Sequence, residues 1–281
     1  MSTAVNVITL AVHDLDRSVR FYAEGLGCRV ERASGGTAVV WLGGPEMPRL
    51  ELRPWNDLAG TVGSAPDTKG FRGFMISAIF PTAQAVDHLL DAAVRAGATL
   101  LKPAKGAVWG YAGHFADPDG HVWKAVTSGS PLVAKFKRQQ PATATTTGPA
   151  MAPQEVAVTL GVQDMKAAKQ FYADGLGYEI DKAFGKFAKF KPAPGAATLS
   201  LYTWDALAGD AGVDAAGHGF RGYALSVQAP SEARVDEITA ASTTAGARMV
   251  SGPELQPGTG YSSVFLAPDD AAWSASASLA A

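Results

Sequence analysis

The sequence predicts an α+β fold of four βαβββ modules, with antiparallel-rich sheets and helices on one face. Three observations predict it. The chain repeats itself nearly end to end, its apolar runs have strand length between Gly-rich turns, and capped helices recur at matching places. The repeat is explicit: ITLAVHDLDRSVRFYAEGLG (8–27) returns as VTLGVQDMKAAKQFYADGLG (158–177), an offset of 150 from Thr9 to Thr159. GFRGFMIS (70–77) returns as GFRGYALS (219–226), Trp55-Asn-Asp-Leu-Ala-Gly as Trp204-Asp-Ala-Leu-Ala-Gly, and Trp123 as Trp273. The chain thus divides into a first domain (1–128), a linker (129–153) and a second, more degenerate domain (154–281). The Pro/Ala/Thr-rich part of the linker lacks apolar periodicity and reads as extended chain.

The elements follow in order. Val5 to Val12 is an apolar run of strand length. Asp14 caps a helix from Leu15 to about Glu24, stopped by Gly25 and Gly27. Strands follow at Arg29–Arg32, Ala38–Leu42 and Arg49–Arg53. After a long loop the order recurs: a strand at Phe74–Ile79, a helix at Ala83–Arg95 opened by Pro81-Thr82, then strands near Thr99, His114 and Val122. The last is preceded by Asp117-Pro118-Asp119-Gly120, a tight turn in which Pro fixes φ and Gly takes the positive-φ position. In the second copy this becomes Ala267-Pro268-Asp269-Asp270, where Asp must tolerate that conformation.

Composition limits the function. A length of 281 residues with 47% hydrophobic and 18% charged content is that of an ordinary globular chain with room for two domains. A formal net charge of −2 gives no attraction to nucleic acid or to an anionic membrane. The single Cys28 excludes an intrachain disulfide and a thiolate metal cluster, and reads as a buried thiol. The first residues lack a basic region before their apolar run, and no window reaches the length of a membrane span, so a cytoplasmic location is expected.

Several motifs now resemble the vicinal oxygen chelate superfamily of glyoxalases, extradiol dioxygenases and bleomycin-type resistance proteins. They are the opening strand with Asp14-Leu15-Asp16-Arg17-Ser18, then Phe21-Tyr22 and Gly25-Leu26-Gly27, and the closing stretch from Trp109-Gly-Tyr-Ala-Gly-His through Asp117-Pro-Asp-Gly-His-Val-Trp. The resemblance covers both copies and implies tandem domains whose sheets curl into cups. Such cups commonly hold a divalent metal through His on an opening strand, His or Gln on the equivalent strand of the next module, and Glu on closing strands. The metal chelates two neighbouring substrate oxygens as a Lewis acid. The scaffold also hosts isomerases, lyases, hydrolases and inert binders, so fold alone does not select a function.

Carried onto this chain, those ligand positions fail. The opening His falls at Val7 and Ala157, and the closing Glu at Lys124 and Ser274. Residues 74–80 and 223–229 contain no His, Asp or Glu. Val and Ala cannot ligate, nor can a protonated Lys. His13, His88 and His121 read as solvated, and His218 lies in a Gly-rich loop. Only His114 is placed to reach a pocket.

Strand alternation turns Val122, Lys124 and Val126 to the cup, and Trp123 and Ala125 under the helices. By the same reasoning Val7, Thr9 and Ala11 line the first cup, while Ala157, Thr159 and Gly161 floor a roomier second one beside Ser274 and Ser276. Lys124 has three readings: a charge paired or reaching solvent, fixed positive charge for an anionic ligand, or a desolvated base or Schiff-base amine. Trp41, Trp55, Trp109, Tyr111, Trp204 and Tyr261 lie near strand ends and could stack a flat ligand or simply pack. Arg72 and Arg221 could clamp an anion or pair across the domains.

The resulting expectation is a metal-independent binder of an aromatic or natural-product-like molecule, with no cofactor, a monomer of two fused domains or a homodimer. Its ligand residues would be Trp41, Trp55, Trp109, Tyr111, Arg72, Lys124, Trp204, Arg221, Tyr261 and Ser274. The rival is a metal-independent isomerase, lyase or cyclase using Lys124, His114 or Tyr111. A third reading is a scaffold with vestigial cups.

Overall fold

A computed structural model describes residues 4–44, 46–107, 110–127, 149–256 and 260–277. The four βαβββ modules form as anticipated. Module one contains β1 (Val7–Val12), α1 (Leu15–Arg20), β2 (Arg29–Ala33), β3 (Thr37–Trp41) and β4 (Arg49–Pro54). Module two contains β6 (Phe74–Phe80), α3 (Ala83–Arg95), β7 (Thr99–Ala107), β8 (Gly110–Ala116) and β9 (Val122–Thr127). Module three contains β10 (Glu155–Val162), α4 (Met165–Gln170), β11 (Ile180–Phe184), β12 (Phe187–Phe190) and β13 (Thr198–Thr203). Module four contains β15 (Tyr223–Ala229), α6 (Glu232–Thr244), β16 (Arg248–Gln256), β17 (Gly260–Leu266) and β18 (Ala272–Ala277). Within each copy, the passage between modules adds a short helix and a short strand: α2 (Trp55–Thr61) with β5 (Thr68–Gly70), and α5 (Trp204–Ala211) with β14 (Gly217–Gly219).

The caps behave as their chemistry requires: the Asp14 carboxylate accepts from the Arg17 amide, and the Thr82 hydroxyl from the Ala85 amide. The first helix is shorter than expected as an α-helix. It widens into a π-helical turn at Phe21–Gly25, repeated at Phe171–Gly175, which swings Phe21 and Tyr22 into the core.

The two sheets differ in one decisive way from a cup per copy. One eight-stranded sheet runs β16-β17-β18-β15-β1-β4-β3-β2, and the other β11-β12-β13-β10-β6-β9-β8-β7. The first joins modules one and four, the second modules two and three, so each sheet takes one module from each copy. The junctions are antiparallel, with Val7 opposite Ser226 and Ala157 opposite Ser77. We call the resulting concave surfaces the outer cup (modules one and four) and the inner cup (modules two and three). Lys124 therefore shares a cup with Ala157 and Thr159, not with Val7, and Ser274 faces Val7 and Thr9.

Alternation along the strands divides the two faces as expected. Ile8, Leu10, Leu50, Leu52, Ile76, Phe115, Trp123 and Trp273 are buried together under the helices. Each such side chain contributes about 1.5–3 kcal/mol on burial. Cys28 is buried with them, and burial pushes its thiol up to about 12.

The repeated GFRG motif holds the copies together. The second glycine, Gly73 or Gly222, has positive φ, and a Cβ there would lie 2.1 Å from the Trp204 ring or 2.9 Å from the Trp55 ring. Only glycine lets these rings pack against the opposite copy.

Candidate functional site: two unequal cups

The outer cup encloses a cavity of about 740 Å3. One cross-sheet row on its floor runs Trp41, Arg49, Val7, Ser226, Ser274, Val264, one residue from each successive strand. The next row begins Val39, Glu51, Thr9, Ala224. The floor is divided in character. On β4, Arg49, Glu51 and Arg53 point into the cavity, with Glu51 bonded to Arg53 at 2.9 Å and 3.4 Å from the Thr9 hydroxyl. On β15 and β18 the polar groups are neutral: Ser226 and Ser274 share a hydrogen bond of 2.7 Å, and the Gln228 amide donates to Ser276 at 2.8 Å. Leu58, Val62 and Val250 wall the cavity, and Thr61, at the end of α2, borders it.

In the inner cup, α5 sets a carboxylate against the floor. In the repeat, WDALAGD (204–210) stands where the first copy has WNDLAGT (55–61), so Asp210 replaces Thr61. The Lys124 ammonium donates to the Asp210 carboxylate at 2.7 Å, and the His114 ring lies 3.7 Å from the same carboxylate. Lys102 caps the end of α5, bonding to the Gly209 and Asp210 carbonyls at 2.5 and 2.8 Å. Burial pushes the Asp210 carboxyl up, but the His114 ring and the Lys124 ammonium outweigh it and hold it well below the usual carboxylate range. Leu207, Ala208 and Ala211 are buried beneath, packed with Phe71, Met75 and Val122. The small floor residue Gly161 gives no free space, because Leu207 already packs against it.

The remaining sequence candidates lie elsewhere. Trp55, Arg72, Trp204 and Arg221 form the seam between the copies. The Arg72 guanidinium lies 4.8 Å over Trp55 and donates to the Asp119 carbonyl at 2.7 Å, while Arg221 lies 5.1 Å over Trp204 and donates to the Asp269 carbonyl. Both indoles spend their N–H on backbone carbonyls, of Pro66 and Ala215. Arg72, Trp204 and Arg221 border a second cleft of about 600 Å3 at this seam. Tyr111 faces the helices, its hydroxyl 2.7 Å from Asp87, so β8 turns it away from His114 and Lys124. Tyr261 repeats this, bonded to Asp236 at 2.9 Å. Trp41 remains on the outer cup's floor row, with Arg29 4.6 Å over its ring. Trp109 lies outside the described residues.

His121 corrects the expectation of a surface residue. It is fully buried, with Nε2 2.8 Å from the Ala11 carbonyl and Nδ1 3.3 Å from Arg72. Burial beside that guanidinium pushes its pKa down to about 3, so it sits neutral. The turn around it is a buried hub, where Asp117 accepts from the Tyr22 hydroxyl and Asp119 from Arg17 and Ser18.

Two residues that shape the cups escaped the sequence reading: Glu51 and Asp210. Both had a signal. RLELR (49–53) alternates charge with leucine, which sets three charges on one face of a strand. Asp210 puts a carboxylate where the first copy has the neutral Thr61.

A chelated metal does not fit these donors. In the outer cup Glu51 is the one carboxylate among Val7, Ala224 and Ser274, and it is already bonded to Arg53. In the inner cup Lys124 occupies the closing-strand position. Among the described residues no three His, Cys, Asp or Glu side chains come together.

The family model described as Glyoxalase/Bleomycin resistance protein/Dioxygenase superfamily matches residues 4–125 and 156–274. A search of curated proteins finds no match. Among solved structures, a variant of glyoxalase I from Zea mays superposes with a TM-score of 0.66 at 18% identity, covering 98% of this chain and 92% of that one. A putative dioxygenase from Bacillus subtilis subsp. subtilis str. 168 gives 0.65 at 14% identity, covering 98% and 85%. At these identities the likeness speaks for the fold, and no helix among the described residues is long and apolar enough to cross a membrane. Motifs, module order and family match agree: the chain belongs to the glyoxalase/bleomycin resistance protein/dioxygenase superfamily.

Proposed function

We propose that this chain binds a small organic molecule in its outer cup without the help of a metal. The observation that carries this reading is the inequality of the cups. One keeps a cavity of about 740 Å3, while the other is occupied by α5 and its Asp210. A cavity with apolar walls and a few convergent polar groups is the usual form of a small-molecule site. Stacking contributes less than the tryptophan content suggests, because Trp273, the indole that borders this cavity, is fully buried, and Trp41 stands in a floor row outside the cavity's lining. Recognition instead rests on the hydroxyl and amide groups of Thr9, Ser226, Ser274 and Gln228, with Glu51 and Arg49 opposite. An isomerase, lyase or cyclase built on Lys124, His114 and Tyr111 has less support, since Tyr111 faces away and Lys124 is bonded to Asp210.

Calorimetric titration of the full chain against hydroxyl- and amide-bearing metabolites tests this. Glu51→Gln and Ser274→Val should each weaken the bound compound by about tenfold, the value of one lost hydrogen bond to a charged or well-placed partner. Lys124→Ala should leave affinity unchanged, as should a chelator. Loss of binding on chelation, or a stoichiometric metal retained through purification, would overturn the reading.

A further inference from the structure

The inner cup contains more positive charge than one ion pair needs. Lys102, His114 and Lys124 stand opposite one another on three adjacent strands, in one row on the cup face. The row continues through Ser77 on β6, beside Lys124. One carboxylate, that of Asp210, meets this row. His114 is only 4% exposed, yet neither of its ring nitrogens has a hydrogen-bond partner. A separation of 3.7 Å from Asp210 is too long to count as one. A buried imidazole left without a hydrogen bond carries a desolvation penalty, which natural structures rarely retain without a reason.

The occupant is also placed to leave. The Asp210 side chain is 30% exposed and that of Lys124 21%, so their bond lies at a mouth that solvent reaches. His114 lies deeper. Rotation of one side chain would free Lys124 and His114, while Lys102 stays on the Gly209 and Asp210 carbonyls and Leu207 and Ala211 hold α5 in place. The repeat supports the same view, since the first copy has Thr61 at the Asp210 position and leaves its cup open.

We propose that the inner cup is a second binding site, selective for a small carboxylate, and that Asp210 is its built-in occupant. An incoming carboxylate takes the place of the Asp210 carboxylate on Lys124 and gives the His114 ring the hydrogen bond it lacks, while Asp210 turns to solvent. Selectivity follows from the occupant: the mouth is shaped around a planar, singly charged group, and Ser77 supplies a hydroxyl beside it. Asp210 acts as a tethered competitor, so it raises the apparent dissociation constant of the ligand by the ratio of its closed to open populations. This site is independent of the outer cup, and either can fail without the other.

The test uses the full-length chain, sodium acetate as the probe and sodium chloride at matched ionic strength as the control. Nuclear magnetic resonance of the His114 ring nitrogens reports occupancy directly. In the wild type acetate should shift the His114 signals saturably and chloride should not. Asp210→Ala should reach the same end point at about tenfold lower acetate or less, because the competitor is gone. Lys124→Met combined with Asp210→Ala should lose the response. Asp210→Asn, which keeps the shape of the helix end, serves if the alanine variant folds poorly, with the same expected gain. A wild type whose His114 signals do not move up to molar acetate overturns the proposal, even if the alanine variant responds. So does an Asp210 variant with no gain over the wild type.

Discussion

The outer and inner cups are built from the same module four times over, yet one holds a cavity of about 740 Å3 while in the other α5 sets Asp210 against the floor. The difference rests on few positions. At the end of the short helix, Thr61 stands in one and Asp210 in the other. On the closing strand, Ser274 stands in one and Lys124 in the other. A serine paired with Ser226 leaves a polar floor open to a ligand, whereas a lysine on the same strand needs an anion, and α5 supplies it. Burying an ammonium without a partner costs several kcal/mol, so the lysine and the aspartate constrain each other. The lesson is that a repeat can keep its backbone and still divide its labour by exchanging one pair of side chains.

Exchanging that pair gives the largest expected effect. Thr61→Asp with Ser274→Lys should build the inner cup's ion pair into the outer cup and lower affinity for any outer-cup ligand by about 100-fold, because both volume and hydrogen bonds are lost. Titration of the bound compound checks this, and retention of affinity would show that the two helices approach their floors differently. A smaller effect comes from breaking one partnership at a time. Lys124→Met leaves the Asp210 carboxylate with its remaining contacts only and should cost about 2–3 kcal/mol of stability in urea unfolding, with both groups partly solvated. Ser274→Ala in the outer cup should cost less than about 1 kcal/mol, because the Ser226 hydroxyl it leaves behind faces the cavity.

Much of this architecture was legible in the sequence, though not which modules meet. The strand and helix boundaries fell within a residue or two of Arg29–Ala33, Arg49–Pro54 and Ala83–Arg95, because caps, turns and alternation are local. Pairing is different. Phe74–Phe80 is equally apolar whether it lies against Val7–Val12 or Glu155–Val162, so alternation cannot tell a cup within one copy from a cup between copies. The deciding contacts are those of Trp55 over Gly222 and Trp204 over Gly73, which appear in sequence only as two unrelated conserved-looking motifs within the repeat. The same ambiguity misplaced Lys124 beside Val7. His121 was misread for another reason: a histidine next to a turn is usually solvated, but here the turn itself is buried by the seam.

The turns that lead into the two closing strands extend the comparison to pH. Before Lys124 the turn ends in His121, and before Ser274 it ends in Ala271. His121 has a folded pKa of about 3, far below its ordinary value near 6.5. The unfolded chain therefore binds a proton that the folded chain refuses. Stability contributed by neutral His121 is complete above about pH 6.5 and is lost as pH falls towards the folded value, by up to about 1.4 kcal/mol per unit. Thermal unfolding between pH 7.5 and 5 should show this loss in the wild type and a shallower one in His121→Asn. Equal slopes would mean that Arg72 moves and lets the ring accept its proton in place.

The smallest effect concerns the position after the two central turn residues. Gly120 and Asp270 both have positive φ, and Asp270 is the one such residue among those described that is not glycine. An L-residue there is strained by about 1–2 kcal/mol, less for Asp than for most. Asp270→Gly relieves that strain but adds about 0.4–1 kcal/mol of freedom to the unfolded chain. It also removes a carboxylate that favours the charged form of Arg221 at the seam. These terms nearly cancel, so the variant should fall within about 0.5 kcal/mol of the wild type by urea unfolding. The reverse exchange is not symmetrical. A Cβ at Gly120 would lie 3.1 Å from an Arg72 nitrogen, so Gly120→Ala combines φ strain with displacement of the guanidinium and should cost about 1–2 kcal/mol. If instead the two exchanges cost the same, the Arg72 side of the seam would be as adaptable as the Arg221 side. The rigidity that holds the Lys124 strand against α5 would then have to come from the Lys124–Asp210 bond alone.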